Sequence, residues 1–236
     1  MAQIALITGA NKGIGFEIAR LLGERGVTVI VSARDPDRGK AAAAKLGQPF
    51  VQLDVTDPSS IEAAAQWIDQ KYQTLDILVN NAGIAVPETE GRPSSTSLET
   101  VRRVYETNVF GVVAVTNAML PLLLKSPAGR IVNQSSERGS MTMALDSDGP
   151  IWPLNNLPYH SSKAALNMIT VAYARQLWGT PVKVNVAAPG WCETDATGHQ
   201  GLKTAAEGAE VAVGLATLDD NGPTGGFFRD DGPVPW

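Results

Sequence analysis

Short apolar runs recur along the chain from Ala5 to Thr8, Val27 to Ser32, Phe50 to Asp54, Ile77 to Asn80, Arg130 to Asn133 and Val182 to Ala187. Helix-length stretches separate them, so strand, helix, strand is the repeating unit and the strands are expected to be parallel. The runs are continuously apolar rather than alternating, which predicts a sheet covered by helices on both faces. Asp35-Pro36 and Asp57-Pro58 each place a capping acid before a proline at the first helical position and mark two helix starts. Gly225-Gly226-Phe227-Phe228 supplies a last strand. The expected class is α/β, with about seven strands in a doubly wound parallel sheet.

No low-complexity linker or internal repeat divides the pattern, and 236 residues suit one domain spanning the chain. The exception is a loop-like stretch rich in Asp, Gly, Pro and Asn from Met141 to Pro158, within an insertion at about 139–158. A net charge of −5 and pI near 5.1 provide no basic field, so a small molecule is expected as partner and nucleic acid is not. Cys192 is the only cysteine, so no intrachain disulfide can form; with two histidines besides, a dedicated metal site is not expected. The opening MAQIALITGA has neither the basic nor the apolar stretch of a signal peptide or membrane span, and the expected location is cytoplasmic, away from membranes.

After the first strand comes Thr8-Gly9-Ala10-Asn11-Lys12-Gly13-Ile14-Gly15, followed by a helical run from Phe16 to Glu24. Glycines at a strand-to-helix turn let the backbone approach a pyrophosphate, whose charge the N–H groups and dipole of the helix favour. The same glycines would also serve close strand–helix packing. The second strand ends Val31-Ser32-Ala33-Arg34-Asp35, where an acid would bind a ribose 2′-hydroxyl and a base a 2′-phosphate. Asp35 is better explained as the cap before Pro36. Lys12 and Arg34 then supply two cations and no acid, which favours NADPH over NADH, although each is also the kind of residue that ordinarily sits solvated at a surface.

Tyr159 and Lys163 open a long helical stretch, Ala164 to Leu177, and a spacing of four puts them on one face. A neighbouring ammonium is expected to favour tyrosinate and lower the phenol pKa. Alone such a pair carries little. Ile131-Val132-Asn133-Gln134-Ser135-Ser136 adds a serine pair just beyond the fifth strand, at the sheet end where ligands bind.

This set resembles the short-chain dehydrogenase/reductase family: a T-G-x-x-x-G-x-G turn, Asn80-Asn81-Ala82-Gly83, Asn108 within Thr107-Asn108-Val109-Phe110-Gly111, the serine pair, Tyr159 with Lys163, and Pro189-Gly190-Trp191-Cys192-Glu193-Thr194 fall in the family's order. The resemblance implies a Rossmann-type sheet of order 3-2-1-4-5-6-7 and reduction of a carbonyl, in a ketone, aldehyde or quinone, to an alcohol with NADPH. Ser136 matches the substrate-orienting serine, Tyr159 the general acid and Lys163 the residue that tunes it and holds the nicotinamide ribose. Asn108 matches a helix asparagine that positions a water and the lysine; from the residues alone it could equally be a polar group satisfied in a helix kink. The dinucleotide set implied is Gly9, Asn11, Lys12, Gly13, Ile14, Gly15, Arg34, Asp54, Val55, Asn81, Gly83, Tyr159, Lys163, Pro189 and Thr194, with Asp54 and Val55 beside the adenine and Thr194 near the nicotinamide carboxamide. Asn81 and Gly83 could as bare sequence be a turn.

The connection from Ser136 to Tyr159 is longer than the family's usual one. With the Asn-Lys-Gly-Ile-Gly turn it resembles the carbonyl reductase branch, whose insertions cover an oligomerisation helix, so a monomer or homodimer is expected. The inserted residues form either a hydrophobic wall over the substrate or a surface loop packed on itself. Trp191 and Trp152 point to an apolar or aromatic carbonyl or alcohol substrate unless they belong to the core. Cys192 reads as inert packing, and His160 and His199 have no assignable role. Alternatives are an alcohol dehydrogenase running mainly in the oxidative direction, a sugar epimerase, which usually adds a C-terminal domain, and a non-enzymatic NADPH sensor or scaffold, expected to lose one of Ser136, Tyr159 or Lys163.

Overall fold

The computed structural model describes residues 2–86 and 91–236. Its chain order is β1 (Ile4–Ile7), α1 (Gly13–Glu24), β2 (Thr28–Ala33), α2 (Pro36–Leu46), β3 (Phe50–Gln52), α3 (Pro58–Tyr72), β4 (Ile77–Asn80), α4 (Leu98–Tyr105), α5 (Gly111–Leu123), β5 (Arg130–Gln134), α6 (Met141–Ala144), α7 (Leu157–Gln176), β6 (Lys183–Ala187), α8 (Ala205–Ala216), β7 (Phe227–Arg229) and β8 (Gly232–Pro233). The strands form one sheet of order β3-β2-β1-β4-β5-β6-β7-β8, parallel throughout except for the β7–β8 pair. The expected order is therefore present with one strand added. β8 is two residues long and follows a tight turn, so no apolar run announces it.

Two buried clusters lie on opposite faces. One joins Ile18, Ala19 and Leu22 of α1 to Ala209, Ala212 and Val213 of α8 beneath Ile7, Val31 and Val132; the other joins Ile61 of α3, Val115 and Met119 of α5 and Tyr173 of α7 beneath Leu6, Leu78 and Ile131. Adjacent strand residues go to opposite clusters, as the pleat requires. The two Asp-Pro starts are real caps: Asp35 accepts from the Asp37 and Arg38 N–H groups, and Asp57 from that of Ser59. Several strand ends differ from the sequence reading by one or two residues; β3 ends at Gln52, although the Leu53 N–H still donates to the Ala33 carbonyl at 3.1 Å, and the Asp54 N–H donates to Ser60 Oγ in α3.

A π-helical stretch, Glu106–Phe110, joins α4 to α5. The continuous helix from Leu98 to Leu123 is long and apolar enough by composition to cross a bilayer, but half of its apolar window is buried within the protein. The switch in strand order falls between β1 and β4, and the C-terminal ends of β1, β4, β5 and β6 share one edge of the molecule. Open parallel sheets bind ligands at that edge.

Candidate active site

The two serines after β5 have different environments. Ser135 is buried and its hydroxyl donates to Asn167 Oδ1 on α7 at 2.7 Å, which commits it to holding that helix. Ser136 accepts a hydrogen bond from the Arg138 N–H at 3.3 Å, and its hydroxyl also hydrogen-bonds the Tyr159 phenol. Asn156 caps α7 by accepting from the Tyr159 N–H at 3.1 Å, with Pro158 in the first turn. Tyr159 therefore stands at the mouth of the helix and Lys163 one turn deeper. Gly139 lets this helix come close, since a Cβ there would sit 2.8 Å from Lys163 Cβ.

Lys163 is 5% exposed, its ammonium donates to the Gln134 carbonyl at 2.8 Å, and it lies 5.6 Å from the centre of the Tyr159 ring. Burial disfavours the charged form and brings the lysine pKa down to about 8. The expectation that the ammonium lowers the phenol pKa is not met. Burial pushes the Tyr159 phenol up, and the opposing pulls of the Ser136 hydrogen bond and the Arg138 charge do not overcome it. The contribution of Arg138 and the Gln134 carbonyl were not visible in the sequence, because both depend on how the chain turns after β5.

Asn108 lies in the π-helical stretch, where its amide donates to the Ile84 carbonyl at 2.9 Å and to Ser162 Oγ at 3.0 Å and accepts from the Ile84 N–H at 2.8 Å. It ties the loop after β4 to α7. It does not bond Lys163 directly, but a Cβ on Gly83 would lie 3.4 Å from Asn108 Oδ1 and 3.6 Å from Lys163 Nζ, so all three converge.

On the other side of the site, Gly9 and Gly13 take positive φ, +65° and +57°, and Gly15 leaves room for Asn81, whose amide donates to the Thr8 and Gly9 carbonyls. The packing reading of the glycines thus holds for Gly15. Helices α2, α3, α7 and α8 each begin with a side-chain cap, whereas Lys12 at the start of α1 provides none, and no acid stands in the first turn of that helix. Asn11 lies in the turn before α1, and Ile14 in the first turn of the helix. Arg34 is exposed, and Lys12 is ion-paired with Asp195. Asp54 Oδ1 accepts from the Thr56 N–H and hydroxyl, and Val55 packs its carbonyl against Gly111. Thr194 follows the Pro189-Gly190 turn, its methyl group 3.6 Å from where a Gly13 Cβ would be.

The 139–158 segment is neither free loop nor wall alone: it contains α6, and its Met143 packs on a small cluster of Val186, Ala188, Phe227 and Val234. The C-terminal residues hold it, with Ser140 Oγ donating to the Pro235 carbonyl and Thr142 to that of Trp236. Met141, Leu145, Trp152 and Trp191 are all more than half exposed, so neither tryptophan is core. Cys192 is buried with its thiol pKa pushed up by burial, in keeping with inert packing. His199, which sequence left without a partner, contacts Asp195 at 3.1 Å.

Comparison with known proteins bears on the whole chain. The short chain dehydrogenase family matches residues 3–205. (−)-Isopiperitenone reductase of Mentha piperita is 34% identical, covering 98% of each chain, and mouse carbonyl reductase [NADPH] 1 is 34% identical over 99% of this chain and 98% of that protein. The structure of NADPH-bound carbonyl reductase from chicken fatty liver aligns with a TM-score of 0.86 at 29% identity, over 100% of this chain and 99% of that one.

Proposed function

This chain belongs to the short-chain dehydrogenase family, and from that premise we propose that it is a carbonyl reductase that uses NADPH and Tyr159 as general acid. The observation that carries this reading is the chain of contacts from Ser136 to the Tyr159 phenol, with the buried Lys163 ammonium anchored on the Gln134 carbonyl beneath the ring. Relatives named as NADPH reductases and a carbonyl reductase with NADPH bound support the same cofactor.

The residues present fit the dinucleotide. The uncapped start of α1 leaves helix N–H groups for a pyrophosphate over Asn11, Gly13, Ile14 and Gly15, beside Gly9 and Lys12. No acid ends β2, where exposed Arg34 would meet a 2′-phosphate. Asp54 and Val55 would border the adenine, Asn81 and Gly83 the middle of the cofactor, and Tyr159, Lys163, Pro189 and Thr194 the nicotinamide riboside. When bound, NADPH supplies the hydride.

Ser136 donates to the carbonyl oxygen and fixes its direction, so that negative charge develops where a donor already stands. Tyr159 delivers its proton to that oxygen. Its up-shifted phenol remains protonated at neutral pH, and an alkoxide is more basic than the resulting phenolate, so transfer is downhill. Lys163, charged below about pH 8, stabilises the phenolate left behind. Asn108 acts as a positioning residue through Ile84 and Ser162. The same residues run alcohol oxidation in reverse.

Exposed Trp152 and Trp191, with Met141 and Leu145, favour a bulky apolar or aromatic carbonyl. We place substrate and cofactor in one domain spanning the chain, with 139–158 as its inserted, substrate-side segment, and the protein as monomer or homodimer. A panel of aldehydes, ketones and quinones mixed with enzyme and NADPH, followed by loss of the reduced nicotinamide absorbance, tests the proposal. Turnover of bulky apolar members is expected; no turnover of any would contradict it.

A further inference from the structure

The face of β5 that looks towards α1 and α8 carries a side chain that packing does not explain. Adjacent residues of a strand point to opposite faces. Asn133 reaches Thr170 on α7, whereas Arg130 reaches the Leu218 carbonyl beyond α8 and Val132 lies in the cluster formed with α1 and α8. Gln134, the last residue of β5, therefore shares the side of Arg130 and Val132, and its register partner on β6, Ala187, belongs to the same cluster. Gln134 is 6% exposed, and both polar atoms of its side chain, Oε1 and Nε2, are buried without a hydrogen-bond partner among the described residues.

A buried amide with neither end paired is destabilising, and an apolar side chain of the same length would fill the place without that cost. The flanking residues do not relieve it. Asn81, just beyond β4, donates its amide to the Thr8 and Gly9 carbonyls, and Ala187 has no polar side-chain atom.

The backbone of the same residue sets where the amide stands in the site. The Gln134 carbonyl accepts from the Lys163 ammonium at 2.8 Å, so the end of β5 lies at the nicotinamide riboside in the reading above, and the side chain turns to the face where the uncapped start of α1 stands. The parts of a dinucleotide near that point differ in the hydrogen bonds they exchange. A pyrophosphate only accepts and would leave Oε1 unpaired, and the ribose hydroxyls fall to Tyr159 and Lys163. The nicotinamide carboxamide both donates and accepts, and so answers both ends of Gln134. We propose that the Gln134 side chain pairs with the nicotinamide carboxamide and fixes the rotation of the ring about its ribose bond. This rests on the cofactor reading proposed above.

The test is calorimetric titration of the wild-type protein and Gln134→Met with NADP⁺, with its acetylpyridine analogue, in which a methyl ketone replaces the carboxamide and donates nothing, and with 2′-phospho-ADP-ribose, which lacks the ring. Gln134→Met is expected to weaken NADP⁺ by roughly 5- to 20-fold, because two orphaned groups are no longer paired on binding. Affinity for 2′-phospho-ADP-ribose should stay within about twofold, and the wild-type preference for NADP⁺ over the analogue should shrink by roughly threefold or more. Since the amide is unpaired without ligand, the nucleotide-free variant is expected to melt at the wild-type temperature or above it. Equal weakening of NADP⁺ and 2′-phospho-ADP-ribose would put the amide on the pyrophosphate or ribose and overturn the proposal. Unchanged NADP⁺ affinity overturns it as well, leaving the amide to buried water alone. A markedly lower melting temperature, or loss of folding, does the same, because the amide would then be paired within the protein. Independently of any variant, equal affinity of the wild-type protein for NADP⁺ and the analogue would contradict it. Failure of the wild-type protein to bind any of these nucleotides would instead overturn the cofactor reading beneath it.

Discussion

The region from β1 to α2 and the region from Ser136 to α7 are assembled in different ways. In the first, neighbours in sequence set much of the geometry: Asp35 caps the helix that starts one residue later, and positive-φ glycines turn the chain between adjacent elements, with the Asn81 amide bracing the Thr8 and Gly9 carbonyls from the end of β4. In the second, the partners are remote. Arg229 pairs with Glu137, the Pro235 and Trp236 carbonyls accept from Ser140 and Thr142, and Met143 rests on Val186 and Phe227. A cofactor cradle whose supports described above do not come from the last residues of the chain is expected to be insensitive to changes there, whereas a substrate side held by Arg229, Pro235 and Trp236 is not.

The largest effect is expected where both regions meet. Lys163→Met should lower turnover by on the order of 10²-fold or more. In the wild-type protein, kcat/KM should fall as pH rises through about 8, because burial makes the ammonium lose its proton early, while the up-shifted Tyr159 phenol stays protonated across that range. A decline only on the acid side would contradict this assignment. Next comes Gly15→Ala in the cradle, whose new Cβ would lie 2.3 Å from Asn81 Nδ2 and 2.7 Å from the Gly9 carbonyl. Overpacking of this kind costs about 1–3 kcal/mol, read as a lower melting temperature, and NADPH affinity should fall with it. The smallest effect is expected from Arg229→Ala, which removes partly exposed ion pairs with Glu137 and Asp231 and should cost about 1 kcal/mol in stability. It should raise the KM for the carbonyl with NADPH affinity unchanged; equal changes in both would erase the distinction between the two regions.

The same division explains what the sequence disclosed. Alternation of strands and helices, two Asp-Pro helix starts, the glycine turn and the Tyr159–Lys163 spacing are local patterns, and each appears in the fold, whereas the strand order follows only from the family resemblance. Ser136 could be preferred over Ser135 only by resemblance; the structure separates them because Ser135 is bound to Asn167. The direction of the Tyr159 shift is the opposite of that expected from the sequence, because a spacing of four gives proximity to a charge but not the depth of burial, and burial dominates. Strand β8, the tail that supports α6, the Lys12–Asp195 pair and the His199 contact all join residues whose encounter depends on closure of the whole sheet. No periodicity encodes them.

The most direct measurement of the central claim is a paired one on Tyr159→Phe: NADPH binding by fluorescence and carbonyl reduction in the same preparation. Removing one hydroxyl leaves the ring and the cap of α7 in place, so binding should remain close to wild type while turnover drops by about 10²- to 10⁴-fold. A variant that binds NADPH and still reduces the carbonyl at the wild-type rate would contradict the assignment of Tyr159 as proton donor.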